Sequence, residues 1–202
     1  AKELVRIPVT SEAPGTGNAK DNGLGAPRLV DINGDGMPDV VYAGDNLGNM
    51  WKFDVTSANP TNWKVAFGGS PLFTAKGSVV INGSRDKVQP ISTAPTVRAN
   101  DRKMQIGSGP SAKVVRVGGM MVAFGTGRNV TKTDPSSVEV QTIYSVLDNS
   151  RYREVSTVLG KRLEVHPGGG TCPSGLDCVP APAALGEGVG SAKLAKQVIN
   201  DS

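Results

Sequence analysis

Strand-length hydrophobic runs separated by turn formers dominate the chain, and few stretches keep a helical period. Ala26-Pro-Arg-Leu-Val-Asp31 reads as an extended segment. Asp39-Val-Val-Tyr-Ala-Gly44 is a β-branched run of the kind buried on both faces of a sheet. Asp45-Asn-Leu-Gly-Asn49 supplies a turn, with Gly48 free to take a positive φ. Met50-Trp-Lys-Phe-Asp-Val55 alternates apolar and polar residues, so it is expected as the partner strand of a hairpin. Trp63-Lys-Val-Ala-Phe67 is a further strand after a Pro/Asn turn, and residues 1–25 read as a lead-in strand and a glycine-rich loop.

The second half echoes the first. Ala94-Pro95 repeats Ala26-Pro27 at an offset of 68 residues, Met121-Val-Ala-Phe-Gly-Thr-Gly127 resembles Val40-Val-Tyr-Ala-Gly-Asp45, and Thr142-Ile-Tyr-Ser-Val-Leu-Asp148 resembles Met50-Trp-Lys-Phe-Asp54. Each unit is an Ala-Pro strand, a β-branched strand ending in Gly, and an aromatic strand ending in Asp. Sheet repeats of this size predict propeller blades, with residues 99–119 as a polar insertion in the second. The expected fold class is therefore all-β, a partial or modified β-propeller over 1–166, followed by an irregular Cys-bearing tail over 167–202. Within that tail, Ser191-Ala-Lys-Leu-Ala-Lys-Gln-Val198 has room for two helical turns.

Composition narrows the classes. Gly 26 and Pro 14 among 202 residues exceed the ~12% of average usage and fit many tight turns. The net charge of +4 comes from scattered residues with no basic run, which argues against nucleic acid as a partner. No stretch approaches the ~18 apolar residues of a membrane span, and the start lacks the apolar core of a signal peptide. Cys172 and Cys178 flank a Pro/Gly loop, a spacing suited to a local disulfide in an oxidising compartment.

The candidate chemistry sits in Asp31-Ile-Asn-Gly-Asp-Gly-Met-Pro-Asp39. Oxygen side chains fall at positions 1, 3, 5 and 9 of this loop, with glycine at 6. Ca²⁺ takes about six to eight oxygen ligands at ~2.3–2.6 Å, so Asp31, Asn33, Asp35, the Met37 carbonyl and Asp39 form the expected site. Gly36 permits the sharp turn. Position 12 is Tyr42 instead of the bidentate Glu of an EF-hand, and the flanks read as strands. This is a β-hairpin version of the loop, with affinity expected in the weaker, extracellular class.

Other motifs fail. With the single His166, neither a zinc site nor a Ser-His-Asp arrangement is supported. Gly107-Ser-Gly-Pro-Ser-Ala-Lys113 has the wrong spacing for a phosphate loop, and no strand is expected before it. Asn82-Gly-Ser84 and Asn129-Val-Thr131 are sequons, and Trp51 and Trp63 are expected in blade cores.

The run from Gly25 to Asp54, with Gln89-Pro-Ile-Ser-Thr-Ala-Pro95, Phe124-Gly-Thr-Gly-Arg128 and Gln141-Thr-Ile-Tyr144 in the same order, resembles the C-terminal propeller of the PilC/PilY family of type IV pilus tip-associated proteins over about residues 23–148. The resemblance implies a secreted, extracytoplasmic bacterial protein at the cell surface or pilus tip. It implies support of pilus biogenesis, control of retraction, adhesion, and partners among minor pilins, pilus tip components and host surface receptors. It also makes Asp31, Asn33, Asp35 and Asp39 the family's calcium positions. The alternatives are a quinoprotein-like propeller dehydrogenase and a purely structural calcium module of another surface protein. Cysteines six apart and only 2 Trp disfavour the dehydrogenase.

Overall fold

The computed structural model describes residues 4–9, 22–75 and 88–166, except 102, 107, 117, 118, 130, 137–140, 149 and 159. The tail 167–202, with the expected Cys172–Cys178 disulfide, the 191–198 helix and the Asn82 sequon, lies outside the described residues. Among the described residues the regular structure is β-strand, joined by short 3₁₀ turns.

The first sheet contains β1 (Arg28–Val30), β2 (Val40–Gly44), β3 (Asn49–Asp54), β4 (Lys64–Val65) and β5 (Phe73–Thr74). β2 runs antiparallel between β1 and β3, with Arg28 opposite Tyr42 and Val40 opposite Asp54. β4 and β5 share the outer edge of β3 at its two ends. The strand expected over 63–67 is thus only Lys64–Val65. Past Val65 the backbone leaves the sheet, because Phe67, Gly68 and Gly69 all take positive φ, a conformation that cannot continue a ladder. Trp63 is half-buried, and its indole N–H donates to the Ser57 carbonyl at 2.8 Å. It steadies a local turn, whereas Trp51 fills a core as expected.

The turn 45–48 is built around the Asp45 carboxylate. One oxygen accepts the N–H groups of Leu47 and Asn49, and the other accepts from Asn22, the Asn49 side chain and the Trp51 indole. Gly48 has φ 77°, as its turn position predicts.

The second sheet repeats the plan. β9 (Met120–Gly125) lies antiparallel between β6 (Thr96–Ala99) and β10 (Ile143–Asp148), and Val97, Val122 and Val146 stand in one row. The insertion expected between the first two of these strands contains a hairpin, β7 (Lys103–Ile106) with β8 (Lys113–Arg116). The glycine-rich stretch 107–113 therefore does follow a strand, contrary to expectation. It leads into another strand, not the helix a phosphate loop requires. A second hairpin, β11 (Arg151–Thr157) with β12 (Gly160–His166), was not legible in the sequence pattern. Residues 4–9 were expected to include a strand but carry no ladder pairing; Ile7 and Val9 pack on the outer face of the first sheet.

The two sheets meet through a shared core. Val40, Tyr42 and Met50 face Val122, Phe124 and Val146, while Ala75 and Ile91 of the connecting segment fill between them. Phe73, Phe124 and Tyr144 stack with centroids 5.0–6.2 Å apart. The opposite face of the first sheet buries Ala43, Trp51 and Phe53. Each large apolar side chain so buried contributes about 1.5–3 kcal/mol. β2 and β3 are therefore covered on both sides. β3 has no solvent-facing side, and Lys52 is 1% exposed.

Candidate metal loop and the buried clasp beside it

The loop 31–39 spans the ends of β1 and β2. It is pinned at its exit, where the Asp39 N–H donates to Val30 and the Asp39 carbonyl accepts the Val55 N–H. Three strand ends thus converge on one residue. Gly34 and Gly36 take φ 78° and 89°, which lets the chain coil tightly without Cβ strain.

Within the coil each acidic side chain is oriented by backbone N–H groups. Asp31 accepts from Gly34 at 2.7 Å and from Gly36 at 2.8 Å through its two oxygens. Asn33 accepts from the Asp35 N–H and donates to the Asp35 carboxylate. Asp35 accepts from the Met37 N–H at 2.8 Å, and Asp39 accepts from the Ile32 N–H at 2.7 Å. Asp31 and Asp35 are exposed, Met37 is exposed beside them, and Asp39 is buried. The Gly36 N–H, helped by Gly34, holds the Asp31 carboxyl below the usual carboxylate range against slight desolvation. Burial pushes the Asp39 carboxyl up and outweighs the Ile32 and Asn33 N–H groups that hold it down, with the negative charges of Asp35 and Asp31 adding a smaller upward push.

Two features bear on a cation. Among the described residues, no three Asp, Glu, His or Cys side chains already stand together as a metal cluster. The donor chemistry nevertheless fits Ca²⁺, because every side chain is a hard oxygen donor. A carboxylate has about four lone-pair positions, so those used by the backbone leave others free. N–H bonds of this kind act as an outer shell that aims metal ligands. Asp31, Asn33, Asp35 and Asp39 are the residues that would hold the ion, with the Met37 carbonyl completing the set.

Next to the loop lies a group that sequence reasoning missed. Tyr42 on β2 and Lys52 on β3 face each other across the sheet, and both donate to the same oxygen of Asp148 on β10, each at 2.5 Å. Asp148 also accepts the Ser150 N–H at 2.9 Å. The pair joins the two sheets with its ions 1% and 0% exposed. Burial alone would raise the Asp148 carboxyl; the Lys52 ammonium and the Tyr42 and Ser150 donors outweigh it and hold the group below the usual range. The Lys52 ammonium also lies 5.1 Å from the Tyr152 ring centroid, 5.3 Å from Phe67 and 5.9 Å from Tyr42. The repeat held a signal for this cluster. Aligning the terminal residues Asp54 and Asp148 sets Lys52 against Val146, a core position.

Among the described residues no helix is long and apolar enough to cross a membrane. Asn129 of the second sequon is exposed.

The PilY1 beta-propeller domain family matches residues 9–169. The type IV pilus biogenesis factor PilY1 homolog of Xylella fastidiosa is 32% identical over 133 residues, covering 63% of this chain and 8% of that protein. The type IV pilus biogenesis factor PilY1 of Pseudomonas aeruginosa is 32% identical over 154 residues, covering 67% of this chain and 12% of that protein. This chain thus spans about a tenth of the length of these relatives. The crystal structure of the Pseudomonas aeruginosa PilY1 C-terminal domain superposes with a TM-score of 0.50 at 31% identity, over 70% of this chain and 27% of the other. Two successive blade-like sheets built on one repeated plan, matched in sequence and in three dimensions, lead to one conclusion: the chain belongs to the PilY1 β-propeller domain family.

Proposed function

We propose that this chain is a calcium-binding, non-enzymatic part of a type IV pilus biogenesis factor, working by engaging partners and not by chemistry. The observation that carries the calcium reading is the 31–39 loop. Its oxygen side chains are aimed by backbone N–H groups, and its exit residue ties three strand ends together. An ion on Asp31, Asn33, Asp35, the Met37 carbonyl and Asp39 would order this loop and so stiffen β2 and β3. Family membership supports the pilus setting. It favours an extracytoplasmic site at the cell surface or pilus tip, with minor pilins, other tip components or host surface receptors as partners. Such a compartment also suits a disulfide between Cys172 and Cys178. The dehydrogenase alternative finds no support in the relatives, which are named for pilus biogenesis.

Thermal melting with calcium and with chelator, on the wild-type chain and on Asp35→Ala, tests the reading. At calcium a hundredfold above Kd the ion contributes about 2.7 kcal/mol. For a domain of this size that raises Tm by about 5–10 °C. The wild type is expected to show this rise and Asp35→Ala to lose most of it. Identical melting of both proteins under both conditions overturns the proposal.

A further inference from the structure

The first two strands of each sheet are joined differently. β1 and β2 are linked by the 31–39 loop, whereas β6 and β9 are linked by the β7–β8 hairpin. β6 pairs with β9 from Thr96 opposite Ala123 to Ala99 opposite Met120, and the Asn100 N–H donates to the Gly119 carbonyl at 2.9 Å. β7 and β8 keep that register, with Lys103 opposite Arg116 and Ile106 opposite Lys113. β10 pairs along Met120–Gly125 only, so the ribbon runs on beyond the third strand. From Asn100 to Ile106 that is about 20 Å of strand at ~3.3 Å per residue. Among the described residues β7 and β8 pair with each other and with no other strand. A two-stranded ribbon by itself is marginal in water.

The same ribbon holds the chain's charge imbalance. The basic residues form no run, yet between residues 98 and 116 Arg98, Arg102, Lys103, Lys113 and Arg116 stand against Asp101 alone. Their excess equals the net charge of +4 of the whole chain, and the remaining basic and acidic residues are equal in number. Arg98 and Lys103 are exposed. Lys103 and Arg116 are a direct cross-strand pair, and like charges so placed destabilise a ladder unless an anionic group lies across them. Gln105 and Val114 form the next pair but one toward the tip, so period 2 puts them on the face of Lys103. Both are exposed, Val114 at 67%. This face of the ribbon thus combines two cations, an amide and an apolar side chain.

We propose that the β7–β8 ribbon is a docking arm for a protein partner with an acidic surface, and that Lys103, Arg116 and Val114 are its contact residues. Carboxylates on the partner neutralise the opposed cations, and an apolar group beside them covers Val114. The mixed face favours a protein over a nucleic acid. Residues 96–116 contain no Phe, Tyr or Trp on which bases could stack, and a phosphate backbone offers Val114 nothing to pack on. The arm is independent of the 31–39 loop, so the proposal does not rest on the calcium reading.

Fluorescence anisotropy with a labelled synthetic peptide of alternating glutamate and valine tests this on the full chain, beside a duplex DNA of equal charge and vesicles of anionic phospholipid. Wild type is expected to bind the peptide, and the double variant Lys103→Gln/Arg116→Gln to bind it about fivefold or more weakly. Val114→Ser is expected to weaken it as well, while Lys64→Gln and Lys132→Gln, at exposed positions elsewhere, are expected to match wild type. Removing the opposed charges relieves repulsion in the ladder, so the double variant is expected to keep its circular dichroism spectrum. If it does not fold, the single variants Lys103→Gln and Arg116→Gln carry the comparison. A wild-type chain that does not bind the peptide, or folded arm variants that bind it as wild type does, overturn the inference. Tighter binding of the duplex or the vesicles, lost in the same arm variants, overturns it in favour of a nucleic acid or a membrane surface.

Discussion

Replacing Asp148 with alanine leaves the Lys52 ammonium and the Tyr42 hydroxyl facing a cavity, since both donate to that one carboxylate in a site 1% exposed or less. The hydrophobic area lost is small, so the cost comes from stranded polar groups. Breaking a buried ion pair on one side costs about 3–5 kcal/mol, and an orphaned buried hydroxyl about 1–3 kcal/mol. Partial relaxation of the flexible lysine toward solvent offsets part of this, which leaves an expected loss of about 3–5 kcal/mol. Urea denaturation in the presence of chelator reads it directly. With a slope of about 2 kcal/mol per molar, the midpoint falls by about 1.5–2.5 M. The double variant Lys52→Met/Asp148→Leu removes both charges and is expected to recover most of the loss, because apolar replacement of a buried pair is often neutral or better. A single variant within about 1 kcal/mol of wild type, or a double variant no better than the single, would refute the claim that a dry ion pair joins the sheets.

Two further expectations concern acid and packing. Because the folded Asp148 carboxyl is held below the unfolded value of ~3.9, its stabilisation is fully present above that value. It is lost as pH falls through the folded value; the Asp148→Asn variant should therefore show a flatter acid limb in stability measured from pH ~6 down to ~2. Gly44→Ala would bring a Cβ to 2.2 Å from the Ile91 side chain and 2.7 Å from its carbonyl oxygen. Overpacking of this kind costs about 1–3 kcal/mol, readable as a lower melting temperature with an unchanged β-type circular dichroism spectrum.

The repeated strand plan was legible because each blade writes it in local signals. An Ala-Pro segment leads in, a β-branched run ends in Gly44 or Gly125, and an aromatic strand ends in Asp54 or Asp148. The turn at Gly48 was legible for the same reason, since positive φ selects glycine. What escaped was decided by tertiary contact. A lysine between Trp51 and Phe53 carries no local sign of burial, yet a second sheet covers Lys52 and supplies Asp148 from 96 residues away. Lys64–Val65 stops short because the turn over 67–69 diverts the chain, which hydrophobicity alone does not encode. Among the described residues β11 and β12 pair with each other and with no other strand, so neither belongs to the repeated three-strand plan from which the other strands were read. In the loop, spacing named Asp31, Asn33, Asp35, Met37 and Asp39, and the fold places them on one coil. That Asp39 is buried and shared with the strand ladder could not be read from spacing.

Calcium titration of the wild-type chain beside Asp35→Ala is the measurement closest to the centre of this account. One ion per chain, bound at the 31–39 loop and lost or greatly weakened in Asp35→Ala, is the predicted result. A wild-type chain that gives no binding heat and no calcium-dependent shift in melting would contradict it.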